Sequence, residues 1–119
     1  MDTPRNHHHL FWEKRKYTDS MSRTFRNHPA LIIYTPVELH QELHANLLPP
    51  PKPRRELMLG AISLLSEFNG TGLDGLESMI YYFDSKTAPE APRIAEHLYE
   101  QLGYLSLGVE NGEAAIHRS

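Results

Sequence analysis

The sequence predicts an α+β protein that is predominantly helical, with two short strands and a helix in its first half and about three supporting helices behind them. Three observations point there. HHLFW (8–12) and LIIY (31–34) are short runs rich in aromatic or β-branched residues, a composition that suits strands. TPVELHQELHANL (35–47) opens with helix-start chemistry. After residue 54, apolar residues recur at helical spacing in three successive segments.

The first strand is expected over 8–12 and the second over 31–34. Between them, residues 13–29 are polar and basic without a sustained apolar period, which predicts a loop. In the helix that follows, Thr35 is placed as N-cap, Pro36 at the first helical position, and Glu38 closes a capping box with Thr35. The helix should stop before PPPKP (49–53), a stretch that favours extended polyproline geometry and reads as a rigid connector.

Three stripes then predict three helices. Residues 54–68 align Met58, Ala61, Ile62, Leu65 and Phe68, with NGTG ending the helix. Residues 73–85 align Leu73, Leu76, Ile80 and Phe83, and residues 89–105 align Ile94, Leu98, Tyr99 and Leu102. These stripes read as core. Residues 106–119 read as a polar tail. The whole chain of 119 residues fits one small domain.

Composition narrows the chemistry. The charged fraction of 23% is that of a globular protein. No apolar run is long enough for a membrane span, and the N-terminus has no signal-peptide pattern, so a cytoplasmic protein is expected. There are no cysteines, which excludes disulfides and thiolate metal sites. The net charge of −3 conceals an asymmetry: residues 1–60 carry nine Lys/Arg against six Asp/Glu, residues 61–119 three against nine, and six of the eight histidines precede residue 45. The first half therefore presents the surface suited to an anion.

Histidine is where the pattern concentrates. The run His7–His8–His9 fits a tag stub, a polar cluster or half of a metal site. His40 and His44, four apart on the capped helix, stack on one face close enough to share an ion. No glycine-rich phosphate loop or other cofactor motif accompanies them.

In order, HHLFW … LIIYTPVELHQELH (residues 7–47) resembles the HNH, or ββα-metal, endonuclease family in its histidine-rich branch. The resemblance implies a short two-stranded hairpin and a helix around one divalent ion. It implies His8 as a metal ligand and His9 as general base, with His40 and His44 as the helix ligands; His7 is the ligand if the register shifts by one. An all-imidazole set suits zinc or nickel better than manganese or magnesium. One departure stands out. The family's central Asn is not in place, its position falling near Ala30 or Leu31, and Asn27 or His28 would have to orient the base.

Hydrolysis of a phosphodiester by such a site needs a base that works near neutral pH, as histidine does. Lys14, Arg15, Lys16, Arg23 and Arg26, in the segment between the strands, would then contact phosphates of DNA or RNA, and otherwise form a solvated basic face. The resemblance further implies a bacterial or phage-encoded protein. The alternative from a different class is a non-catalytic, metal-stabilised interaction protein, its helical half serving a protein partner or a second copy of the chain.

Overall fold

The computed structural model describes residues 5–67 and 73–108. Strands β1 (Arg5–His9) and β2 (Ile32–Pro36) pair antiparallel, with His8 opposite Ile33 and Asn6 opposite Thr35. Among the described residues five α-helices accompany them: α1 (Ser20–Arg26), α2 (Val37–Asn46), α3 (Arg55–Ser66), α4 (Asp74–Asp84) and α5 (Ala91–Gly108). The architecture is thus α+β and mostly helical.

The first strand lies three residues earlier than expected. Leu10 and Phe11 are consecutive and both fully buried, which the alternation of a one-sided sheet does not permit. The strand ends at His9, and the two apolar residues turn into the core. Leu10 still donates its N–H to Leu31 O at 3.0 Å.

The segment 13–29 is not a plain loop. Lys14–Lys16 and Pro29–Leu31 form single 3-10 turns, and α1 lies between them. Asp19 caps α1 by accepting from the Ser22 N–H at 2.9 Å, and Ser22 Oγ donates back to Asp19 Oδ2. Phe25 is fully buried. A seven-residue capped helix carrying one buried aromatic suffices here, too short to show a sustained apolar period.

The start of α2 also differs from expectation. Thr35 is the penultimate residue of β2, Pro36 is the N-cap, and no side chain caps the helix. The capping box is therefore not made. Sheet pairing holds Thr35 opposite Asn6 instead, and its Oγ1 is buried without a hydrogen-bond partner.

The helices α3, α4 and α5 fall where the stripes place them. Met58, Ala61, Leu65, Leu76, Phe83, Ile94 and Leu98 are buried, while Ile62, Leu73, Ile80 and Leu102 pack half-buried on the same core. Tyr99 departs from its stripe and is 67% exposed. Phe68 and the NGTG turn lie outside the described residues. Residues 49–53 run without regular structure, and α5 continues to Gly108, three residues into the expected tail.

One apolar cluster joins the two halves of the chain, from Leu10, Phe11 and Leu43 to Phe83, Ile94 and Leu98. The N-terminus of α4 meets the 3-10 turn before β2, and α5 packs on α4, α2 and β2. This last placement brings α5 behind the histidines.

Candidate metal centre

The alternation of β1 sends Asn6 and His8 to one face and His7 to the other. His7 is exposed and packs its ring, tilted by 37°, against Tyr34 across the sheet, with ring centroids 4.2 Å apart. His8 is fully buried. Of the three consecutive histidines, His8 is the one that joins His40 and His44.

On α2, His40 and His44 stand one turn apart with their Nε2 atoms 2.9 Å from each other. Ring centroids of His8 lie 5.1 Å from His40 and 5.4 Å from His44. One ligand atom from each of the three rings falls within 4.8 Å of the others. Two imidazole nitrogens on a tetrahedral zinc ion lie about 3.3 Å apart, given bonds of about 2.0–2.1 Å. The three histidines are close enough to hold one metal ion.

The donor set fits such an ion on its own chemistry. His8 Nδ1 is buried without a hydrogen-bond partner, a costly state for a polar atom unless something accepts its lone pair. Burial, the largest effect, lowers the His8 pKa to about 4, helped by repulsion from His40 and His44 and opposed by the Gln101 hydrogen bond. Burial likewise lowers the pKa of His40 and of His44. All three shifts favour the neutral ring, the form that binds metal. Three imidazoles without a carboxylate favour zinc, nickel or a similar first-row ion and leave coordination positions open.

His9 sits half-buried at the end of β1. Burial and the nearby Arg26 charge lower its pKa, while a side-chain hydrogen bond with Asn27 opposes them. Asn27 is the C-cap residue of α1, so the helix absent from the sequence reading is what delivers it to His9. Arg26 donates to Asn27 Oδ1 at 3.1 Å and reaches Trp12 O at 3.4 Å. His28 is used otherwise: its Nδ1 accepts from the Ala30 N–H at 3.1 Å and caps the 3-10 turn.

Of the basic residues, Lys14, Arg15 and Lys16 are exposed on their turn, and Arg15 makes only a loose 3.8 Å pair with Glu13. Arg23 is exposed and donates to Thr18 O. Of these five, Arg26 is the one whose charge acts on His9.

Four residues that sequence reasoning passed over complete the surroundings. Asn6 Nδ2 lies 3.0 Å from His40 Nδ1. Trp12 sets its ring at 4.6 Å from His44 and 5.5 Å from both His8 and His97. Gln101 Oε1 lies 2.7 Å from His8 Nε2, and His97 contacts Gln101. Two of these had a signal. Asn6 shares the face of His8 two residues on, and Gln101 is the polar residue on the buried face of α5 that carries Ile94, Leu98 and Leu105. Comparisons with family models, curated proteins and solved structures returned no match.

Proposed function

We propose that this protein is a metal-dependent endonuclease of the HNH type, hydrolysing phosphodiester bonds in DNA or RNA. One observation carries the reading: the three convergent histidines are adjoined in sequence by a fourth, His9, close enough to Asn27 and Arg26 for both to act on its pKa. Here the two-stranded sheet and α2 serve as the ββα-metal finger. His8, His40 and His44 would hold the ion, which when bound supplies Lewis-acid charge to the phosphate and the departing oxygen.

The chain's own residues do the rest. His9, kept neutral by burial and by Arg26, takes a proton from the attacking water as its oxygen bonds to phosphorus. The phosphorus–oxygen bond to the leaving nucleotide breaks, and that oxygen is protonated from solvent. Asn27 holds the His9 ring in place, substituting for the family's central Asn from a different position in the sequence. Arg26, beside His9, meets the phosphate under attack, and Lys14, Arg15, Lys16 and Arg23 meet its neighbours.

The test is cleavage of supercoiled plasmid, single-stranded DNA and RNA by EDTA-stripped protein, with Zn²⁺, Ni²⁺, Mn²⁺ and Mg²⁺ restored separately. His9→Ala should hold metal as well as wild type and lose cleavage by about 10²–10⁴-fold. Protein that demonstrably binds metal and cuts nothing with any ion would sink the proposal.

A second reading has a specific observation behind it. The triad joins β1 to α2, and through Gln101 to α5, so an ion there would also staple the fold. In that case His8→Ala, His40→Ala and His44→Ala lower stability, and His9→Ala behaves like any surface change.

A further inference from the structure

We propose that Gln101, on α5, is the positioning residue of the metal centre: it holds His8 as the Nε2–H tautomer, so that Nδ1 is the atom that binds metal. The inference rests on the metal-site half of the reading above and not on cleavage.

The polarity of this contact is set by a backbone carbonyl, which can only accept. Gln101 is fully buried. One end of its amide lies 3.0 Å from Leu10 O, so that end must be the NH₂ group. The other end, 2.7 Å from His8 Nε2, is then the carbonyl oxygen, and His8 Nε2 must carry the proton.

His97 extends the chain on the far side. Its Nε2 faces Leu48 O and must donate to it, while its Nδ1 faces the amide nitrogen that Leu10 O has already fixed as the donor. That Nδ1 lies 3.2 Å from Gln101 Nε2 and takes the second amide hydrogen. A directed chain therefore runs from His8 through Gln101 to Leu10 O, and through His97 to Leu48 O. Its free end is the buried, unpartnered His8 Nδ1, on the ring that meets His40 and His44.

Every partner in the chain lies outside the β1 strand that carries His8. Gln101 and His97 belong to the same helix, one turn apart. The helical half of the protein thus acts on the centre through the second nitrogen of one ligand, as outer partners of metal-binding histidines do.

The experiment begins with metal-free wild type. ¹⁵N-edited NMR of the histidine rings should find His8 protonated at Nε2 and bare at Nδ1; a proton on Nδ1 would overturn the proposal. Metal affinity is then read through Trp12, the only tryptophan, by Co²⁺ quenching of its fluorescence. Gln101→Leu should weaken Co²⁺ binding by about 10–100-fold while the far-ultraviolet circular dichroism is kept. Gln101→Glu, which restores an acceptor for His8 Nε2–H, should recover most of that loss. Equal Co²⁺ affinity in wild type and Gln101→Leu would overturn the assignment. So would failure of Gln101→Glu to recover affinity in a folded protein. A chain that passes these tests but cuts no nucleic acid would keep its positioning residue and lose the nuclease reading.

Discussion

His8 carries two opposed demands, and its behaviour with pH follows from them. The ring is fully buried, and burial chiefly lowers its pKa from 6.5 to about 4. In the unfolded chain the same ring takes up a proton near pH 6.5. Between those two values the unfolded state binds more protons than the native state, so stability falls as pH falls, and the effect levels off below about pH 4. His9, His40 and His44 shift in the same direction and add to it. Urea unfolding of EDTA-treated protein should lose roughly 2–3 kcal/mol between about pH 7 and pH 4.5. An unchanged urea midpoint would show that His8 is not buried as a neutral ring. Thr35 offers the opposite case. Its buried Oγ1 lacks a partner, so Thr35→Val removes an unsatisfied group at nearly constant shape and should be neutral or stabilising by up to about 1 kcal/mol in the same assay.

Among the elements, α2 explains its own sequence. Leu43 is its only fully buried residue. Half-buried His40 and exposed His44 face the His8 ring, so the helix lacks a full apolar stripe because part of the face it turns to β1 is the site. The junction between α4 and the 3-10 turn is equally specific. A Cβ at Gly75 would stand 2.3 Å from Ala30 O, a backbone atom that cannot move aside without shifting Leu31 and β2. Gly75→Ala should therefore cost about 1–3 kcal/mol, seen as a lower thermal midpoint. A midpoint equal to that of wild type would mean that α4 does not approach the turn so closely. At the other end of the bundle, Glu90 accepts from the Arg54 N–H and pairs with its guanidinium at 2.9 Å. That contact holds the Glu90 carboxyl down to about 2 and secures the start of α3.

For the molecule as a whole, the centre links segments far apart in the chain: β1 near one end, α2 in the middle and α5 beyond residue 90. Any ion that binds only the folded form must stabilise all of it by mass action. At a free concentration 100 times the dissociation constant the gain is about 2.7 kcal/mol. Zinc or cobalt should therefore raise the thermal midpoint of wild type and leave that of His40→Ala and His44→Ala unmoved. A wild-type midpoint indifferent to metal would remove the centre from both functional readings at once. None of the helices among the described residues is long and apolar enough to cross a membrane.

Local physics made much of this protein legible in advance. Apolar periodicity placed α3, α4 and α5, because each buries one face against a shared core. The i, i+4 spacing of His40 and His44 made them a pair, because any α-helix stacks such residues. The preference for His8 over His7 as ligand came with the family resemblance, and strand alternation agrees with it. What sequence could not settle was whatever depends on contacts distant in the chain. The offset of β1 arises because Leu10 and Phe11 are both drawn into a core built by later helices. Sheet pairing, not helix capping, claimed Thr35. The approach of Asn27 to His9 needed α1, whose seven residues and one buried phenylalanine are too short to show a period. Gln101 meets His8 across 93 positions of sequence, and only the packing of α5 against the sheet could decide which nitrogen of that histidine is left free.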